Sequence, residues 1–371
     1  MSDIVLYVNG KKYEGWKSAD VTRSIEAVSG SFRLITNDKW DINKDPWKIF
    51  PGDKCRIEIG GVTLITGWVD SVAPSYSTTD HGIEISGRDV TCDLVDCSAV
   101  VKSFEIRGQT IGGLTKMLCA PFGIPVLDTA GDTEVFPVVA IQPGETVFAC
   151  IEREARQRDI ILTTNGTGSL VLGMVGSLKA ADKLIQGGNI ITASANFDFS
   201  NRFSEYIVKG QQPAQGESED SWNPPQNDVE SRYTDGNITR YRPLILTGES
   251  QMYEKSAETR AKREAAQRTG ESTQVSVTVQ GWTQSNGELW PLNGTVKIES
   301  PALYLSHELI IDSVNFTAGD GGSNTVMVLK QPDAFLNLDS AGKAAKKANK
   351  KKGSSVEDYS KYWEDAKEAG E

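Results

Sequence analysis

One pattern occurs twice in this chain, and it limits the folds available more than any other feature. Near the N-terminus the order is Trp47, Pro51-Gly52, the strand-like Arg56-Ile57-Glu58, then Gly67-Trp68-Val69-Asp70-Ser71-Val72. Near the C-terminus it is Trp290-Pro291, Gly294, Lys297-Ile298-Glu299, then Leu309-Ile310-Ile311-Asp312-Ser313-Val314. Gly52 to Asp70 and Gly294 to Asp312 each span 18 positions, and a one-residue gap between the glycine and the basic residue aligns the two copies. Internal self-similarity of this kind marks a duplicated structural unit. Two copies in one chain double the symmetry of any assembly, so a trimer presents six similar modules.

The 371 residues exceed what one ordinary core organises, which implies several domains. At 38% hydrophobic and 24% charged the composition is that of a folded chain. The formal charge of −11 argues against nonspecific nucleic-acid affinity, which needs a basic face. The start Ile4-Val5-Leu6-Tyr7-Val8 turns polar too soon for a signal peptide, and no apolar run approaches a membrane span. Five cysteines, Cys55, Cys92, Cys97, Cys119 and Cys150, include no C-x-x-C pair. Cys92 and Cys97 lie near enough to meet, but reduced, mostly buried thiols are the expectation.

The first 98 residues read as short strands. Asn9-Gly10 supplies the two positive φ angles of a type I′ hairpin. Further strands are expected at 30–35, 54–59, 62–72 and 82–86, with apolar alternation at Cys55, Ile57, Ile59 and at Ile83, Ile85. From about 99 to 188 the texture is α+β. Thr110 is expected to cap a helix through Cys119, and Thr146 a second one from Val147 to about Arg158. A hairpin follows, with Asn165-Gly166-Thr167-Gly168 as a plain turn. Strand texture spans 190–207, and the Pro- and Gly-rich stretch 211–235 reads as a long exposed loop. A charged helix at 251–268, closed by Gly270, precedes strands over 273–329. The tail is a Lys-rich run followed by an acidic segment. There Val356, Tyr359, Trp363 and Ala366 share one side at helical spacing, a stripe suited to docking on a partner.

Catalytic chemistry has little to stand on. His81 and His307 have no spaced Cys or His companion, so no metal site is expected, and no nucleophile or nucleotide-binding motif occurs. Paired carboxylates remain, Glu152 and Glu154 or Asp70 and Asp312, as a cell-wall polysaccharide-cleaving protein would need. Glu152 and Glu154, two apart on a helix, do not share a face. Trp40 and Trp222 are candidates for a carbohydrate- or receptor-binding module. No cofactor is called for. Lys346, Lys347 and Lys350–Lys352 lack interleaved aromatics and read as a solvated linker.

An ordered set of segments resembles the baseplate hub proteins of Mu-like contractile-tailed phages. It comprises Asp45-Pro46-Trp47, Pro51-Gly52-Asp53, Gly67-Trp68-Val69-Asp70, Gly87-Arg88-Asp89 and Asp93 to Ala99. It continues with Asn196-Phe197-Asp198, Arg202 to Tyr206, Val279-Gln280-Gly281-Trp282 and Pro332-Asp333-Ala334-Phe335. The resemblance covers about residues 1–336 and extends to the spike proteins of type VI secretion. It implies a mainly β fold with α+β insertions: two similar small antiparallel β-barrel (tube) domains plus two peripheral domains. The implied partition is 1–98 for the first tube domain and 99–188 for an α+β domain. The second tube domain takes 189–215 with 271–336, an insertion takes 216–270, and 337–371 is a charged tail.

The implied role is a homotrimeric, pseudo-six-fold ring. It would join a hexameric tail tube to a trimeric cell-puncturing spike, meet other baseplate proteins, and leave a channel for DNA. That places it in the virion, after assembly in the host bacterial cytoplasm. The acidic excess is expected to favour the lumen.

Overall fold

In the computed structural model the described residues are 4–37, 48–78, 81–156, 158, 160–211, 228–247 and 254–334. Trp40, Trp47, Trp222, Tyr359, Trp363 and the Lys-rich run lie outside them. The chain divides into two compact units. One holds Met1–Ser194, Val275–Pro301 and Leu305–Leu329; the other holds Ala195–Gln274, Ala302–Tyr304 and the residues from Lys330 onward.

The first unit opens with β1 (Ile4–Val8) and β2 (Lys11–Tyr13), joined through Asn9 (φ 51°) and Gly10 (φ 76°), the two left-handed positions of the expected hairpin. Then come β3 (Ser18–Ser24), β4 (Ser31–Asn37), β5 (Lys54–Ile59), β6 (Val62–Tyr76), β7 (His81–Asp89) and the short helix α1 (Cys92–Asp96). Alternation decides which side chains face inward. Cys55, Ile57 and Ile59 are buried on β5, and Ile83, Ile85, Gly87 and Asp89 on β7, with Leu6, Val21, Leu34 and Ile65 from neighbouring strands.

The α+β module contains β8 (Glu105–Thr110), α2 (Ile111–Cys119), β9 (Val126–Asp128), β10 (Val135–Ala140), α3 (Val147–Arg156), β11 (Ile160–Thr164) and β12 (Leu170–Met174). Both helices carry the expected caps: Gly113 N–H donates to Thr110 Oγ1 at 3.1 Å and Ala149 N–H to Thr146 Oγ1 at 3.2 Å. Ile111, Leu114 and Leu118 of α2 meet Val147, Ile151 and Ala155 of α3 in one core with Val28 and Leu94.

Beyond it lie β13 (Leu178–Lys179), β14 (Leu184–Ile185), β15 (Ile190–Phe197), β16 (Glu205–Gln211), β17 (Asp228–Thr234), β18 (Pro243–Thr247) and α4 (Glu254–Glu271). The last strands are β19 (Thr273–Gln280), β20 (Gly294–Glu299), β21 (Glu308–Gly319) and β22 (Gly322–Lys330). The continuous strand texture expected over 190–207 is two strands in different sheets. β16, expected with the second tube domain, instead pairs antiparallel with β17 and parallel with β18. Seven residues of the stretch expected to be loop form β17. In the second unit Tyr206, Val208 and Val229 of this sheet bury against Ala257, Ala261 and Ala265 of α4, small residues spaced every fourth position. Gly270 does not end α4. An added Cβ there would lie 2.0 Å from the Ala334 backbone nitrogen, so close packing on the turn Pro332–Ala334 explains the glycine.

The barrel strands belong to one fourteen-stranded sheet. Its main path runs β15-β19-β22-β21-β3-β4-β7-β6-β5-β1-β2, with β20 alongside β21 and β13 and β14 alongside β20. Two sub-orders repeat along it: β3-β4-β7-β6-β5 in the first copy and β15-β19-β22-β21-β20 in the second.

Candidate functional site

The repeated turn carries the first test of correspondence. Gly52 (φ 90°) donates its N–H to Val69 O at 2.7 Å, and Asp53 N–H reaches Phe50 O at 3.1 Å. In the second copy Asn293 (φ 60°) donates to Ile311 O at 3.0 Å, and Gly294 N–H reaches Pro291 O at 3.2 Å. The counterpart of Gly52 is thus Asn293, and Gly294 stands where Asp53 does, a correction of one residue to the sequence alignment. Both left-handed sites use residue types that tolerate positive φ. The Asn293 side chain adds a role that glycine lacks. Its Oδ1 accepts from Gly176 N–H at 2.7 Å and its Nδ2 donates to Met174 O at 2.8 Å, fixing the exit from β12.

The paired aspartates sit in different surroundings. Asp70 is exposed, and Arg88 Nε donates to it at 2.7 Å while the same guanidinium donates to Asp96 at 2.8 Å. These bonds hold the Asp96 carboxyl below the usual carboxylate range. Asp312 is buried, and its backbone oxygen accepts from Ile25 N–H at 2.8 Å. That bond opens the joint between the copies: Ser313 pairs with Ser24, and the ladder runs to Ala318 opposite Ala19. Trp290 is buried.

A second junction ties the first strand copy to the α+β module. Asp89 is fully buried; its Oδ1 accepts from Thr91 N–H at 3.2 Å and Thr91 Oγ1–H at 3.1 Å, and its Oδ2 from Thr164 Oγ1–H at 3.2 Å. Burial pushes this carboxyl above its ordinary range, opposed by those donors and by the nearby Arg23 guanidinium, which itself donates to Thr164 O. The Asn165–Gly168 turn, read from sequence as a plain turn, docks on β6. Thr66 Oγ1–H donates to Gly166 O at 2.9 Å, and a Cβ on Gly166 (φ 80°) would lie 2.6 Å from Leu64 O. Nothing local in the sequence announces that contact.

The carboxylates considered for catalysis do not converge. Glu152 accepts from Arg156 at 2.7 Å, and buried Glu154 from Arg153 at 3.0 Å. A cavity of about 460 Å³ in the α+β module is lined mainly by apolar groups, among them Val100, Met117, Leu118, Phe122 and Val147, and none of the four proposed carboxylates reaches it. Among the described residues no cluster of three or more His, Cys, Asp or Glu side chains has metal-binding geometry. No helix among them is long and apolar enough to cross a membrane. The cysteines are free thiols, all buried except Cys97, and burial raises the Cys55 thiol to about 12.

Comparison with known proteins meets this geometry at three places. Residues 3–89 match the family model of the Mu phage baseplate assembly protein GpP-like N-terminal domain. Residues 91–174 match the second domain of baseplate hub protein gp44-like proteins, and 253–338 the fourth domain of Mu phage baseplate assembly protein GpP. Baseplate hub protein gp44 of Escherichia phage Mu is 35% identical over 341 residues, covering 90% of this chain and 89% of that protein. The crystal structure of the 43 kDa tail protein of prophage MuSo2 from Shewanella oneidensis superposes with a TM-score of 0.81 at 34% identity, covering 91% of this chain and all of that one. The tail protein of Neisseria meningitidis MC58 shares the fold, with a TM-score of 0.77 at 23% identity over 90% of this chain and 99% of that chain.

Proposed function

Because the chain belongs to the Mu-like phage baseplate hub family, we propose that three copies form a ring of six similar strand modules between a six-fold tail tube and a three-fold spike. The protein is a structural component of the phage baseplate, a part of the virion, and not an enzyme. The finer reading covers the ring, its open channel for DNA, its tube and spike partners and its assembly in the host cytoplasm. The observation that carries it is the strand order repeated within one sheet. A chain holding two like modules converts three-fold packing into a near six-fold surface, and cyclic assemblies close through repeated head-to-tail contacts. The proposed partition keeps 1–98 and 189–215 with 271–336 as the tube-forming parts, apart from β16, which joins the sheet beside α4. The 99–188 module and the 216–270 insertion would decorate them, with 337–371 as a tail presenting Tyr359 and Trp363 to a partner. With a net charge of −11, an acidic lumen would let DNA pass without adhering.

The test is electron microscopy of the purified full-length chain. Face-on averages with six inner lobes under three-fold symmetry are expected. Averages with two-fold symmetry, or particles with no central opening, would overturn the reading.

A further inference from the structure

The second unit gathers arginines at one end of its three-stranded sheet. Three segments converge there: 198–204 between β15 and β16, 235–242 between β17 and β18, and the last turn of α4. Ser204 N–H donates to Arg242 O at 2.9 Å, Asp235 N–H to Ser204 O at 3.0 Å, and Arg268 Nη1 to Asn201 O at 3.2 Å. Guanidinium groups stack on the rings of the first segment, Arg202 over Phe199 at 4.5 Å and both Arg242 and Arg268 over Phe203 at 5.2 Å. Their charges are unevenly compensated. Buried Arg202 pairs with buried Asp235, and Arg268 with Glu264. Among the described residues, the Arg242 side chain donates to Ser200 O at 2.5 Å and meets no carboxylate, and exposed Arg240 meets none either. Asp198, an exposed carboxylate of the first segment, accepts from Ser200 N–H at 2.7 Å. Tyr241, between the two arginines, is 85% exposed, and Phe199 40%. A chain of net charge −11 thus presents two uncompensated guanidinium groups beside open aromatic surface.

We infer that the acidic segment 356–371 folds back onto this surface of its own second unit, with Tyr359 and Trp363 against Tyr241 and Phe199 and its carboxylates facing Arg240 and Arg242. The inference rests on the reading of 337–371 as a docking tail and names the surface that takes it. Charge is the first argument. Residues 356–371 hold six carboxylates against Lys361 and Lys367, an excess of the sign that Arg240 and Arg242 lack beside them. Arginine binds carboxylates through paired, charge-assisted hydrogen bonds. Shape is the second. Val356, Tyr359, Trp363 and Ala366 make one apolar side at helical spacing, and indole is the best ring for an arginine to stack on. Covering Tyr241 and Phe199 with that side removes exposed aromatic surface from both partners. The point of departure is the third. The turn Pro332–Ala334 packs on Gly270, two positions after Arg268, so the chain leaves the fold beside the surface. The 22 positions from Ala334 to Val356 span up to about 70 Å when extended, so reach sets no limit. The match to the fourth domain of the family stops at residue 338, which leaves the segment outside it.

The experiment is brief chymotrypsin digestion of the full chain, following by mass spectrometry the cuts after Tyr359 and Trp363. Each rate is divided by that of the same bond in a synthetic peptide of residues 353–371. At low salt the full chain should be cut roughly tenfold more slowly than the peptide, as expected when the docked state is favoured ten to one. The protection should vanish near 1 M salt, where screening acts within about 3 Å. It should also vanish in Arg240→Glu with Tyr241→Ala, two exposed positions whose loss leaves the thermal midpoint at the parent value. Glu364→Gln with Glu368→Gln, measured against its own peptide, should weaken it from the tail side. Protection that survives the Arg240 and Tyr241 substitutions would overturn the surface assignment and leave the tail a docking segment. Protection that rises with protein concentration would place the tail on another copy and contradict folding back. Equal rates for chain and peptide at every salt would overturn the inference, while the tail could still meet another baseplate protein.

Discussion

At the level of single residues, the sequence pattern found the right vicinity and missed the atom. Gly52 and Gly294 align as letters, but the left-handed backbone belongs to Gly52 and Asn293. Asparagine is among the few side chains that accept this conformation, so the equivalence was visible only once φ was known. Of the two aspartates that the pattern pairs, Asp70 is exposed beside Arg88 and Asp312 is buried. Burial depends on what the neighbouring strand does, which no local spacing encodes. His307 illustrates a residue whose surroundings set a pH response. Its burial holds the imidazole below the ordinary value of 6.5. Above that value both folded and unfolded states are neutral and stability is full. As pH falls below it the unfolded state binds a proton first, so stability declines toward the folded pKa. Thermal unfolding scans between pH 7.5 and 5 should therefore show a smaller decline for His307→Gln than for the parent chain; equal declines would contradict this assignment.

At the level of elements, the capped helices α2 and α3 and the strands β4 to β7 were legible because Thr caps and apolar alternation act locally. β16 was misassigned because its buried Tyr206 and Val208 fit any half-buried strand, and its partners β17 and β18 come from a stretch rich in turn residues. The Gly166 turn was read by its letters as a bare connection, whereas it locks the α+β module onto β6. Gly166→Ala forces a side chain into positive φ and onto the Leu64 carbonyl. It should cost about 2 kcal/mol or more, since a strained left-handed residue alone costs roughly 1–3 kcal/mol. Gly10→Ala, also at positive φ but with nothing within 4 Å, isolates the backbone part. Urea midpoints measure both. Equal losses for the two variants would mean that the Gly166 contact adds nothing.

For the whole molecule, the duplication written in the sequence reappears as the same strand order in both copies, and that much could be read without coordinates. The joint between β21 and β3 could not, because pairing between segments almost 300 residues apart leaves no periodic trace in either one. That joint turns two modules into one continuous sheet, and it motivates the proposal of a ring of three chains. The most direct test is the mass of the full-length chain by light scattering over a series of concentrations. The account predicts three times the 40.3 kDa of one chain. A single-chain mass at every concentration would contradict it.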